Sequence, residues 1–291
     1  MEVPKIIFIV PYRNRQEHMF FFTNYIKYIM EDYAENEWEV YFAHQKDTRE
    51  FNRGAMKNIG FLAMRDKYPE HYKDITFVFN DVDTIPYKKN LVNFETTNGK
   101  VKHFYGFTQA LGGIISFKGC DFERVNGFPN YWGWGFEDNA LSQRVLSNPE
   151  LHIDRSTFFK IGDPKIVQSF DSTTRRISLA NKKNFINDNR HDGLTTITNL
   201  NYAINTDTSI IDISSFDVIH KEDKSTMHDV NLLSFMKDGG GPDNRRNMFS
   251  MMRNSQQQRP PPQPRQPPQP PQPNNTLRRR PNNNNVTFRM F

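Results

Sequence analysis

Ile6-Ile7-Phe8-Ile9-Val10 is a continuous apolar run closed by Pro11, the pattern of a strand covered on both faces. From Gln16 to Tyr33 the apolar positions change to helical spacing, with Met19, Phe22, Ile26, Ile29, Met30 and Tyr33 on one side. Trp38 to Ala43 reads as a second strand, Ala55 to Lys67 as a helix, and Thr76 to Phe79 as a third strand. Strand, helix, strand, helix, strand is the rhythm of an open α/β sheet, mixed but mostly parallel and flanked by helices. Ligands of such sheets bind beyond the carboxyl ends of the strands, where Pro11-Tyr12-Arg13-Asn14-Arg15 and Asp81-Val82-Asp83 fall. Ile114 to Phe117 reads as a further strand, and Glu137 to Leu146 as a helix. Between 150 and 220 the pattern is irregular. It predicts a helix near 173–186 and strands near Thr195–Ile204 and Ile210–Ile213.

After Gly239-Gly240-Gly241-Pro242 the pattern stops. Residues 256–273 are almost all Gln, Pro and Arg, and 282–285 are four Asn, a composition that cannot bury a core. The chain divides into one domain, 1–238, and a low-complexity tail, 239–291, read as a solvated extension. This division changes the meaning of the charge. Residues 245–291 hold nine Arg and no Lys, Asp or Glu, so of the formal +5 the tail carries +9 and residues 1–244 carry −4. A basic nucleic-acid-binding domain is not supported, and no specific nucleic-acid partner is expected. The single cysteine, Cys120, forbids an intramolecular disulfide and reads as a small buried side chain. The run at 6–10 is too short to span a bilayer, and no cleavage site follows it.

Tyr131-Trp132-Gly133-Trp134-Gly135-Phe136-Glu137-Asp138-Asn139 concentrates two of the three Trp, two Gly and two adjacent carboxylates. Trp offers a flat apolar wall with one N–H donor, suited to a sugar face. Gly allows close backbone approach, and a carboxylate beside such a wall can act as general base. In Asp81-Val82-Asp83 the acidic residues are two apart, so an extended segment turns both to one side, toward one divalent cation or one ribose. Mg²⁺ and Mn²⁺ combine few carboxylates with phosphate oxygens, which suits a nucleotide diphosphate. Arg13, Arg15 and Arg53 can bind phosphate through the guanidinium fork, and Phe51 or Tyr12 can lie against a base. Gly112-Gly113 either admits a ligand or marks a bend.

In this order the motifs resemble the β-1,4-galactosyltransferase family over roughly residues 5–204. The elements that carry the resemblance are Pro11-Tyr12-Arg13-Asn14-Arg15, Phe51-Asn52-Arg53, Phe77 to Asp83, Gly112-Gly113, Asn126-Gly127-Phe128 through Asp138, and Asp192-Gly193-Leu194. The resemblance implies a GT-A fold and inverting transfer of a hexose from a UDP-sugar to a carbohydrate or glycoconjugate hydroxyl. By it Asp138 is the general base and Glu137 holds the sugars. Pro11, Arg13, Arg15, Phe51, Arg53, Asp81, Val82, Asp83, Gly113 and Trp134 line the UDP-sugar site. Tyr131, Trp132, Trp134, Glu137 and Asp138 face the acceptor, and Asp83 binds Mn²⁺.

Three departures shape the expectations. The family's His-bearing segment, which completes the metal site, matches Phe158 to Pro164 here, and no His occurs in it. Metal binding is then weakened, rebuilt from Asp163 or replaced by the Lys160 ammonium. Ala110 stands where vertebrate members carry a bulky Tyr, which opens the donor pocket to N-acetylated sugars: galactose, N-acetylgalactosamine and N-acetylglucosamine all stay open. The membrane anchor and cysteines of Golgi members are missing. That points to a soluble, cytoplasmic chain, bacterial-like or virus-encoded and then located in the host cell or virion. A catalytically inactive sugar- or nucleotide-binding member of the same fold is the alternative function.

Overall fold

The structure, a computed structural model, describes residues 2–169 and 174–231. The expectations for the tail beyond 231 lie outside the described residues. In chain order the elements are β1 (Ile6–Tyr12), α1 (Gln16–Ile29), β2 (Trp38–Gln45), α2 (Arg53–Lys67), β3 (Thr76–Asn80), β4 (Thr84–Pro86), β5 (Lys100–Gly106) and β6 (Ile114–Lys118). They continue with α3 (Gly119–Arg124), α4 (Glu137–Leu146), β7 (His152–Asp154), β8 (Phe159–Lys160), β9 (Ile166–Gln168), β10 (Thr174–Ser178), α5 (Ala180–Ile186), β11 (Thr198–Asn205), β12 (Ile210–Asp217) and β13 (Met227–Asn231).

The main sheet runs β11-β12-β2-β1-β3-β6-β5-β7, with β8 also on β5. β12, β2, β1 and β3 are mutually parallel, and β6 enters antiparallel between β3 and β5. β1 is buried at every position because both its faces are covered. Ile7 and Ile9 pack into the core beneath α2, and Ile6, Phe8 and Val10 into the core beneath α1. β1 continues through Pro11, which the sequence made its end, and Pro11 stands in register with Ala43.

α2 is capped by the Asn52 side chain, which accepts from the Ala55 N–H at 2.9 Å. Its residues Gly54–Met64 are all buried, so this helix lies inside the domain rather than on it. Two small sheets flank the main one: β4 with β9, and β10 with β13. The expected helix near 173–186 is corrected by the second of these. Residues 174–178 extend to pair with β13, and the helix starts only at Ala180. The first helix stops at Ile29, short of the expected Tyr33. Cys120 is half-buried rather than buried, its Sγ 3.6 Å from Asn98 Oδ1.

Candidate active site

A cleft of about 360 Å³ opens at the carboxyl ends of β1 and β3. Of the expected residues it is lined by Pro11, Arg13, Arg15, Phe51, Arg53, Asp81, Val82, Asp83, Ala110, Gly113, Trp134 and Asp138. They reach it from separate elements. Arg13 and Arg15 follow β1, Arg53 opens α2, and Asp81 to Asp83 follow β3. Asp138 sits in the first turn of α4, where the helix dipole favours a negative charge. Trp134 is held by the second small sheet: its N–H donates to the Arg176 carbonyl at 2.7 Å.

The charged groups form a chain of pairs. Arg53 Nη2 donates to both Asp81 oxygens at 2.7 and 2.8 Å, and Arg15 Nη1 to Asp83 Oδ2 at 2.9 Å. Residues 82 and 83 form a turn, not the extended segment assumed from the sequence, so the two carboxylates are served by different arginines. Their environments push them in opposite directions. Burial raises Asp81, but the charges of Arg53 and Lys57 outweigh it, and its carboxyl is held below the usual range. Burial and the neighbouring Asp81 charge raise Asp83 despite Arg15.

Glu137 is buried and does not line the cleft. Arg53 Nη1 lies 3.0 Å from its Oε1, a charge contact not aligned as a hydrogen bond, and its Oε2 accepts from the Gly135 N–H at 3.1 Å. Burial, then the Asp138 charge, raises the Glu137 carboxyl. Arg53 is pushed up, because Asp81, Glu137 and Asp138 together overcome its desolvation. Glu137, expected to hold the sugars, is thus buried beneath Arg53 and has no surface on the cleft.

Two further acceptor assignments are corrected. Tyr131 and Trp132 are 2% and 4% exposed and face the interior. Trp132 stacks on Phe216, carries Arg49 over its ring and donates its indole N–H to the His220 carbonyl. Of Tyr131 to Glu137 all but Trp134 are buried, so Trp134 is the aromatic ring that this segment leaves at the cleft. Tyr12 likewise packs on Phe42 and His44, leaving Phe51 as the aromatic side chain of the pair on the cleft wall.

Gly112 and Gly113 close the wall opposite α4. A Cβ on Gly112 would lie 2.2 Å from Asp138 Oδ2, and Gly113 has φ +74° with the Tyr105 carbonyl 2.3 Å from where its Cβ would be. The strand β5 secures this wall through His103. Its Nε2 lies 3.1 Å from the Tyr105 carbonyl and 3.2 Å from the Gly112 carbonyl, while its Nδ1 accepts from Arg155 Nε at 3.0 Å. That pattern fixes a neutral ring with the proton on Nε2. Burial, then the Arg155 charge, lowers its pKa to about 3.

Asp83 is reached by Ser169, just after β9, and of Phe158–Pro164 the cleft is lined by Ile161. β9 pairs with β4, the Ser169 N–H donates to the Asp83 carbonyl at 2.9 Å, and Gln168 lines the cleft. Asp163 caps its own loop through the Lys165 N–H, Lys160 is exposed, and neither lines the cleft. Among the described residues no group of three or more His, Cys, Asp or Glu is placed to hold a metal ion. Asp83 already carries a guanidinium, and the Gln168 amide oxygen accepts from the Tyr105 hydroxyl. Mn²⁺ takes several oxygen donors, so this set does not fit a resident divalent cation, and no step below runs through one.

Sequence reasoning missed Lys57. It is 1% exposed, with Nζ 3.2 Å from Asp138 Oδ1 and 3.8 Å from Asp81 Oδ1. A signal existed: Arg53 and Lys57 are four apart on a helix whose other residues from 54 to 64 are apolar, small or amide. Gln168, Tyr105, Arg175 and Arg176 also line the cleft and could not be found locally, because strand pairing brings them in.

The fold matches solved structures. The catalytic domain of Drosophila β-1,4-galactosyltransferase 7, in complex with xylobiose, superposes with TM-score 0.54 at 20% identity, covering 73% of this chain and 94% of that one. A variant of the same protein in complex with manganese, UDP-Gal and xylobiose gives 0.55 at 20% identity over the same shares. In sequence, β-1,4-galactosyltransferase 4 of Mus musculus is 31% identical over 159 residues, 51% of this chain and 43% of that protein. β-1,4-galactosyltransferase 1 of Homo sapiens is 32% identical over 154 residues, 49% and 37% respectively. The chain thus spans less than half the length of these relatives. The profile of the N-terminal region of glycosyl transferase group 7 matches residues 2–94, and that of the N-terminal domain of galactosyltransferase matches residues 93–168. Motif order, cleft geometry and these matches across residues 2–168 agree, and the chain belongs to the β-1,4-galactosyltransferase family.

Proposed function

We propose that this chain is an inverting glycosyltransferase that moves a hexose from a UDP-sugar to a sugar hydroxyl in β-linkage, with Asp138 as general base. The observation that carries the reading is the setting of Asp138. It lies on the cleft wall beside Trp134, with one oxygen tied to Lys57 and the other above Gly112. In the step, the acceptor O–H gives its proton to the Asp138 carboxylate as its oxygen bonds to the anomeric carbon. The bond from that carbon to the diphosphate breaks on the opposite face, and its electron pair leaves with UDP. Arg13 and Arg15 line the cleft and on this reading clamp the diphosphate, and Phe51, under the Arg13 guanidinium at 6.0 Å, offers a face for a base. Trp134 supplies the flat wall for a sugar ring.

Ala110 lines the same cleft, so its small side chain keeps the N-acetylated donors beside galactose. The neighbour bound to manganese and UDP-Gal supports the donor class. Residues 239–291 are assigned no part in the chemistry, on composition alone.

The test is Asp138→Asn, which keeps the side chain's shape. UDP release from UDP-galactose should fall by about 10²–10⁴ while calorimetric UDP affinity stays near that of the parent. Parent-like turnover would remove Asp138 from the base role. One observation favours the non-catalytic alternative: Asp81 and Asp83 are both occupied by arginines. Parent protein that binds UDP yet releases none from any of the three UDP-sugars would establish it.

A further inference from the structure

We propose that Lys57 is the positioning residue of this site, holding Asp138 so that one carboxylate oxygen is tied down and the other is presented to the acceptor. The proposal rests on Asp138 being the base. Lys57 lies in the middle of α2, and every residue from 54 to 64 of that helix is buried. A lysine so placed needs anionic partners, since an unpaired buried ammonium is strongly disfavoured. It finds them on two elements far apart in sequence. Nζ is 3.2 Å from Asp138 Oδ1 on α4 and 3.8 Å from Asp81 Oδ1 after β3, with the Phe128 ring centroid 4.5 Å away.

The asymmetry at Asp138 is the informative part. Oδ1 receives the lysine hydrogen bond. Oδ2 lies on the far side, over the bare Cα of Gly112, where any β-carbon would stand 2.2 Å from it. The nearest guanidinium, Arg53 Nη2, is 3.9 Å from Oδ2, too far for a hydrogen bond. A lysine suits this task because it is a point charge that engages one oxygen, whereas an arginine fork tends to engage both. Asp81 Oδ1 lies 3.8 Å from the same Nζ, so a single buried ammonium stands between the acceptor side of the cleft and the donor side.

The experiment compares full-length parent, Lys57→Met and Asp138→Asn. Methionine keeps the length of the lysine stem and suits the apolar helix around it. With UDP-galactose as donor probe, Lys57→Met should lower kcat about 10- to 100-fold, as expected for a small misplacement of a reacting group. Its KM, and its calorimetric affinity for UDP, should stay within about threefold of parent. A merely structural role would lower thermal stability without this split. The second arm does not depend on turnover. In ¹⁵N-lysine-labelled protein the Lys57 ammonium, shielded from water, gives a slowly exchanging signal that Asp138→Asn should move.

Parent-like kcat in Lys57→Met, a change confined to KM and UDP affinity, or a lysine signal indifferent to Asp138→Asn would each overturn the proposal. If the parent neither binds UDP nor turns over UDP-galactose, the transferase reading fails instead, and the spectroscopic arm still decides whether Lys57 holds Asp138.

Discussion

Arg53 shows how a single side chain can organise a site. It opens α2 and pairs with Asp81 at the cleft and with Glu137 beneath it. Both of its own terminal nitrogens are committed, and Glu137 is only 2% exposed. Removing the guanidinium leaves a buried carboxylate with no cation in direct contact. Arg53→Met should therefore destabilise the domain by about 3 kcal/mol, the range for breaking a buried pair on one side. Adding Glu137→Gln should recover part of that loss, because the stranded charge goes with it. Chemical denaturation of the two variants is the measurement, and equal stability of Arg53→Met and parent would show that water relieves Glu137. The sequence pointed to Arg53 and to Glu137 separately. It could not show that they face each other, since 84 positions separate them in the chain.

At the scale of elements, β5 and the Gly112-Gly113 turn form one unit, joined by the neutral His103. The unfolded imidazole titrates near 6.5 and the buried one near 3. Between those values the unfolded chain binds the extra proton, so stability declines as pH falls below about 6.5. The slope approaches 1.4 kcal/mol per pH unit, which amounts to about 2 kcal/mol by pH 5. His103→Gln, which keeps a donor for the carbonyls without a titrating ring, should remove that part of the acid slope even if it starts from lower stability. Urea midpoints at pH 7 and pH 5 decide it, and a slope unchanged by the substitution would assign the acid sensitivity elsewhere. The hydrophobic pattern announced β1 and β3 as unbroken apolar runs, and α2 and α4 as helices. It misread residues 174–178, where a strand with one apolar residue, Ile177, is fixed by its partner β13 rather than by its own pattern.

Over the whole molecule, the end of β1, the helix α2 and the small β10–β13 sheet bring six cationic residues around one cleft: Arg13, Arg15, Arg53, Lys57, Arg175 and Arg176. Arg15 is already seated on Asp83, and the segment facing it brings Gln168 and Ser169. A diphosphate entering this cleft meets guanidinium and ammonium groups that are already positioned, by Asp81, Asp83 and Asp138. We therefore expect calorimetric UDP affinity to change by less than about threefold between Mn²⁺ and EDTA, since charge-assisted contacts from Arg and Lys can supply the clamp. Binding that appears only with Mn²⁺ would instead mean that Asp83 gives up Arg15 to the ion. Among the described residues no helix is long and apolar enough to cross a membrane.

By itself the sequence determined the α/β order of the chain, the family, and most of the cleft. Those conclusions rest on local patterns: apolar runs, helical spacing, and short strings such as Pro11-Tyr12-Arg13-Asn14-Arg15 and Trp132-Gly133-Trp134-Gly135, whose residues act close to one another. Which way each side chain turns was left to the tertiary structure. Trp132 and Trp134 differ by two positions, yet one is core and the other cleft wall, because the sheets beside them claim one ring and leave the other. Lys57 looks like an ordinary helix lysine until α4 and the turn after β3 fold against it. Pairing of charges is a relation between distant segments, and no local pattern encodes it.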